Sequence, residues 1–134
     1  MTAVRAGARP GDQLLRDQGF NAAAFDYYRR LGKVKLFVES NLARPIAVEQ
    51  AADIAGLSPG YFSTFFRQKT GVRFTTWVTH LRVEEAKRRL ASNNESITHL
   101  AYAAGYRDLR TFERAFKRCT DETPVAFKKR HRPS

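Results

Sequence analysis

The chain has a single cysteine, Cys119, which excludes an internal disulfide and any cysteine-rich zinc site. Histidine is nearly as scarce. His80, His99 and His131 are scattered, and none has a second histidine at metal-ligating spacing. There is no glycine-rich phosphate loop and no nucleophile elbow. These absences leave no catalytic residue, no metal site and no cofactor site, so the expectation is a protein that is not an enzyme. Residues 1–20 contain no apolar run longer than a dipeptide, and nothing in them resembles a signal peptide. No stretch approaches the length of a membrane span. With one thiol and no leader-like segment, the sequence reads as that of a cytoplasmic protein in a reducing compartment.

Acidic residues are few as well. Thirteen Asp and Glu face twenty-four Lys and Arg over 134 residues, leaving a net charge of +11 and a pI near 10.4. Such an imbalance favours a polyanionic partner. The excess is uneven: residues 96–134 hold nine basic and four acidic side chains, or +5 of the total. The final "KKRHRPS" reads as a solvated, disordered basic end.

Five prolines and eight glycines fall at intervals that read as helix punctuation. Residues 1–19 look like a loose lead-in. Leu31, Val34, Val38 and Leu42 recur at helical spacing, predicting a helix over about 25–41 that "LARP" ends before Pro45. A short helix over about 48–55 ends at Gly56. Ser58 as N-cap and Pro59 as first helical residue open a helix over 59–70, closed by Gly71. A longer helix follows over about 74–92, carrying Trp77, Val78, Leu81, Ala86 and Leu90. After "SNNES", Ser96 caps a helix over 97–104, Gly105 ends it, and another runs over 108–120. Thr123–Pro124 starts a last turn or two through Phe127. No strand pattern occurs. The fold class is all-α, with about seven helices.

An internal repeat organises these helices. "VEQAADIAG" (48–56) aligns with "ITHLAYAAG" (97–105), each with an alanine four residues before a glycine. That pattern suits a helix-turn-helix: the alanine lets the second helix approach, and the glycine takes the left-handed turn conformation. In the helices that follow, Phe62, Phe65, Phe66 and Lys69 share a register with Phe112, Ala115, Phe116 and Cys119, and these positions form the apolar stripe. Cys119 is therefore a small core residue. The opposite register holds Gly60, Ser63, Thr64 and Arg67 in one helix, and Arg110, Glu113, Arg114 and Lys117, with Thr111 beside them, in the other. One polar face is ordinary helix surface. Two equivalent faces in duplicated helix-turn-helices, on a chain this basic, point to DNA. The major groove accepts an α-helix, and arginine can bond bidentately to guanine there, while Lys and Arg at the rim neutralise phosphates. The expected phosphate contacts are Arg67, Lys69, Lys117, Arg118 and Lys128. A connecting helix of about 19 residues spans roughly 28 Å, near the 34 Å turn of B-DNA, so one monomer could fill two successive major grooves.

Two helix-turn-helices joined by a long helix resemble the DNA-binding region of AraC/XylS-type transcription regulators. The resemblance covers roughly residues 27–130. It rests on "NLARPIAVEQAADIAGLSPGYFSTFFRQKTG", "LRVEEAKRRLASNNESITHLAYAAGYRD" and "TFERAFKRCTDETPVAFKKR". It implies a bacterial, nucleoid-associated transcription factor, usually an activator, that contacts RNA polymerase near a promoter. It places the base-reading positions at Gly60, Ser63 and Thr64 in the first recognition helix, and at Leu109, Arg110, Thr111, Glu113 and Arg114 in the second. The first set departs from the long Arg or Gln readers of many relatives, which shifts the expected readout to the second. The implied organisation is a lead-in over 1–26, helix-turn-helix subdomains over 27–71 and 93–130, a linker helix over 72–92 and a basic tail over 131–134. Many members carry a ligand-binding or dimerisation domain before this region, and residues 1–26 are too short to be one. That leaves either a stand-alone member or a piece of a longer regulator.

The main alternative is an architectural protein that binds any DNA alike; a regulator should prefer its site by roughly three orders of magnitude or more. RNA binding lacks a stacking surface, since the aromatics belong to the core. A membrane-surface role lacks a helix pairing a broad apolar face with an unused basic one.

Overall fold

The computed structural model describes residue 15 and residues 17–92 and 95–131. The expected lead-in and the tail beyond 131 therefore lie largely outside the described residues. Eight helices and no strand occur among the described residues: α1 (Ala24–Tyr27), α2 (Arg29–Ser40), α3 (Val48–Ala55), α4 (Pro59–Thr70), α5 (Phe74–Ser92), α6 (Ile97–Ala103), α7 (Leu109–Thr120) and α8 (Pro124–Arg130). They fall into two compact units, one within Met1–Asn41 and Ile46–Val78, the other within Leu42–Pro45 and Thr79–Ser134.

The predicted caps open their helices. Ser58 accepts from Tyr61 N, Ser96 from His99 N, and Thr123 from Ala126 N, each satisfying an amide the helix leaves unpaired. The one helix expected over 25–41 is instead two. Tyr28 is extended (φ −102°, ψ 112°), and its ring lies edge-on to Tyr27 at 4.8 Å and to Phe65 at 5.6 Å. No proline or glycine stands at the break; what is found there is the tertiary contact of Tyr28 with Phe65. The last helix runs on to Arg130 rather than ending near Phe127. Its basic final turn complements the helix dipole, Arg130 pairs with Glu122 at 2.6 Å, and the His131 ring stacks on Phe127 at 4.0 Å. Lys128, Lys129 and Arg130 therefore belong to a helix and not to a disordered end.

The first unit is built around aromatics. Phe62 and Phe66 of α4 are fully buried. Phe74 meets them edge-on at 5.3 and 5.4 Å, and Trp77 stacks on Phe25 at 4.8 Å, offset and edge-to-face geometries that suit ring quadrupoles. Leu15 and Phe20 are also buried, and Asn21 N donates to Thr70 O at 2.7 Å, so the chain is packed from well before α1. In the second unit, Val83, Ala86 and Leu90 of α5 join Leu100, Ala101, Phe112, Phe116 and Phe127 in one buried cluster.

The duplication extends further than the two helix-turn-helices. Arg30, Leu31, Val34 and Val38 of α2 recur at one constant offset as Arg82, Val83, Ala86 and Leu90 of α5. The six apolar members are all buried. The helix expected to act as a linker is thus the first helix of a second three-helix unit, and its opening turn also lends Phe74, Trp77 and Val78 to the first. The C-terminal hydroxyls repeat as well: Thr70 Oγ1 donates to Phe66 O and Thr120 Oγ1 to Phe116 O, both at 2.8 Å.

The two turns close alike. Leu57 N donates to Ala52 O and Tyr106 N to Ala101 O, both at 3.0 Å, with Gly56 (φ +73°) and Gly105 (φ +97°) left-handed. Their surroundings differ. A Cβ on Gly56 would meet only the end of the Arg30 side chain at 3.1 Å, whereas one on Gly105 would fall 2.3 Å from the Leu42 carbonyl oxygen. Both alanine variants bear the left-handed strain, but Gly105→Ala must also move backbone. It is expected to cost about 1–3 kcal/mol more than Gly56→Ala in denaturant unfolding. The residue closing α7, Asp121, is left-handed without being glycine (φ 64°), where α4 has Gly71. Asp121→Gly is expected to stabilise by about 0.5–1 kcal/mol, read as a raised denaturation midpoint.

Candidate nucleic-acid interface

α4 and α7 each bury one face and expose the other. On α7, Phe112, Ala115 and Phe116 are buried, while Arg110, Thr111, Glu113, Arg114, Lys117 and Arg118 are exposed. On α4, Phe62, Phe66 and Thr70 are buried, and Gly60, Ser63, Thr64 and Arg67 are exposed. The two exposed faces differ in chemistry. That of α4 carries short groups, and Thr64 Oγ1 donates back to Gly60 O at 3.3 Å; that of α7 carries four cations.

Asp108 begins α7 as its N-cap rather than as its first helical residue. Oδ1 accepts from Thr111 N at 2.7 Å and Oδ2 from Thr111 Oγ1 at 3.1 Å. These two bonds, then the positive charges of Arg114 and Arg110, hold its carboxyl below the usual carboxylate range. Asp108 occupies the position in the repeat that Ser58 occupies before α4.

Three of the expected contact residues lie elsewhere than on an open face. Leu109 is half-buried against the core of the second unit. The ammonium of Lys69 sits over the Tyr28 and Phe65 rings, at 5.2 and 5.8 Å, where the ring faces attract it. Lys128 Nζ donates to Glu95 O at 2.8 Å, tying α8 to the segment before α6. Phe65, expected in the buried stripe, is only half-buried because it forms the other wall of the Lys69 site.

Several further cations belong to the scaffold. Arg30 Nη1 donates to Ala55 O at 2.6 Å, covering the end of α3. Arg82 donates to the carbonyls of Leu42 at 3.2 Å and Arg44 at 2.9 Å, and burial lowers the pKa of its guanidinium. Arg89 grips Glu95 through Nε and Nη2, and Lys87 pairs with Glu84 at 3.2 Å. Cys119 packs half-buried against the core, and burial first of all pushes its thiol pKa up, which disfavours the reactive thiolate. Burial likewise pushes the Tyr106 phenol up to about 12. Among the described residues no group of three His, Cys, Asp or Glu could hold a metal ion, and no helix is long and apolar enough to cross a membrane.

A family model described as a helix-turn-helix domain matches residues 51–130, which takes in α4 and α7 with the helix between them. The chain belongs to the AraC-type helix-turn-helix family. That family is one of DNA-binding transcriptional regulators and not of enzymes. The AraC-type chain is 32% identical over 92 residues to the transcriptional regulator YobQ of Bacillus subtilis, covering 69% of this chain and 38% of that protein. It is 31% identical over 107 residues to the transcriptional activator Btr of Bacillus subtilis, covering 80% of this chain and 20% of that one. It thus spans well under half the length of these curated relatives. Among solved structures, it is similar to the DNA-binding domain of the global transcriptional factor AdpA in complex with a target DNA. There the TM-score is 0.72 and the identity 27%, over 75% of this chain and 91% of that one.

Proposed function

We propose that this chain binds double-stranded DNA at specific sites and regulates transcription from them, with α4 and α7 entering successive major grooves. The observation that carries the reading is the exposed face of α7, where Arg110, Thr111, Glu113 and Arg114 lie together opposite fully buried phenylalanines. An arginine on such a face can take guanine O6 and N7 in one bidentate contact. Lys117, Arg118 and Arg67 extend the exposed faces with charges suited to phosphates. In this reading α7 reads most of the sequence, while Gly60, Ser63 and Thr64 let α4 approach closely and add little discrimination. Leu109 supports α7 from beneath, and Lys69 and Lys128 hold the scaffold. The finer proposals follow the family: activation, since Btr is an activator, contact with RNA polymerase, and action as a monomer in the nucleoid of a bacterial cytoplasm.

Selection of bound fragments from random DNA by the purified protein tests this. A bipartite site with two short elements about one helical turn apart is the expected result. A single element would mean that one helix alone reads bases. Steeply salt-dependent binding without any preferred site would overturn the reading in favour of an architectural DNA-binding protein.

A further inference from the structure

Thr111 is exposed on the α7 face, yet its hydroxyl proton is already committed. Of the two groups sharing it, the Asp108 carboxylate accepts from Thr111 Oγ1 at 3.1 Å while its other oxygen accepts from Thr111 N at 2.7 Å. An ionised carboxylate has no proton to give. The shared hydrogen must therefore come from threonine, and Oγ1 can show the solvent only lone pairs. The carboxylate stays ionised through the neutral range, because the bonds from Thr111 and the nearby Arg114 and Arg110 all favour its charged form. The exposed threonine of α4 is bound differently: Thr64 gives its proton to the neutral Gly60 carbonyl at 3.3 Å, a weaker hold than a charge-assisted bond.

We propose that Asp108 fixes the Thr111 hydroxyl as a hydrogen-bond acceptor, so that α7 selects at one position a base with an exocyclic amino group on its major-groove edge. This rests on α7 being the base-reading helix. Adenine N6 and cytosine N4 are the two amino donors in that groove, whereas guanine and thymine present acceptors there. Facing Thr111, an acceptor of guanine or thymine would meet lone pairs. Asp108 touches no base in this scheme. It is a positioning residue that sets the polarity of the one that does.

The test starts from the site selected by the wild-type protein and measures affinity for all four base pairs at each position. Thr111→Val keeps the shape and the capped amide but removes the hydroxyl. It is expected to level the preference at one position, by about fivefold, and leave the others unchanged. Replacing the preferred base by its analogue without the amino group, purine for adenine or pyrimidin-2-one for cytosine, should cost the wild type the same factor and the valine variant nothing. Which analogue does so identifies the base. Asp108→Asn keeps a good N-cap, but its amide can donate to Oγ1 and turn the hydroxyl proton outward. The preference at that position should then move toward guanine or thymine, over any uniform gain from losing a negative charge. An unchanged preference in Asp108→Asn would overturn the polarity argument even if Thr111→Val responds. A uniform loss in Thr111→Val, with every base preference kept, would overturn the base contact itself. Absence of any preferred site for the wild type would overturn the underlying reading, and the inference with it.

Discussion

Phe116→Ala is expected to destabilise the second unit by about 3–5 kcal/mol, a large part of the 5–15 kcal/mol typical of a whole domain. Phe116 has no exposed surface. Its ring lies edge-on to Phe112 at 5.7 Å and to Phe127 at 5.5 Å, joining α7 to α8. Removing it leaves a cavity between helices that Phe112 and Phe127 cannot refill without leaving their own contacts. Hydrogen exchange checks this by region. Protection is expected to fall first in α6, α7 and α8, while α2, α3 and α4, which pack around Phe62 and Phe66, keep theirs. Equal loss in both units would mean that they unfold as one. Loss of DNA binding in this variant would follow from an unmade helix and would not make Phe116 a contact residue.

Much of this arrangement is legible in the sequence because local chemistry decides it. Ser58–Pro59 and Thr123–Pro124 start helices wherever they stand, and Gly56 and Gly105 end them. What escapes the sequence depends on partners brought from afar. The break at Tyr28 has no proline or glycine to signal it, and there Tyr28 packs on Phe65, which α4 brings from afar. α5 misleads a single-stripe reading because its first turn faces one core and the remainder another. Val83, absent from the expected stripe, is fully buried for that reason. Lys69 falls in an apolar register, yet its side chain ends over two rings, Tyr28 and Phe65. The three basic residues Arg30, Arg82 and Arg89 cannot be told from surface charge in a sequence, but each holds a carbonyl or carboxylate of the scaffold. The exposed faces of α4 and α7 were legible, since they are the complement of the phenylalanine stripes. The polarity of Thr111 was not, because it depends on where one hydroxyl hydrogen points.

The two faces also differ enough to be separated by mutation. Arg114→Ala or Arg110→Ala is expected to weaken binding to the selected site by about 10- to 100-fold, the worth of a bidentate guanine contact. Ser63→Ala should cost no more than about fivefold, the worth of one neutral hydrogen bond. Both arginines are exposed and neither sits in the core, so thermal unfolding should be nearly unchanged in all three variants. Titration of one site against a scrambled duplex distinguishes the possible causes. A base-reading arginine loses affinity for the site far more than for the scramble. An arginine that only neutralises a phosphate loses both alike and lowers the salt slope by about 0.9. Lys117→Ala supplies the reference for the second behaviour. Equal losses for Arg114→Ala and Ser63→Ala on the specific site would mean that the two helices share the readout, and that the short side chains of α4 contact bases as closely as the long ones of α7.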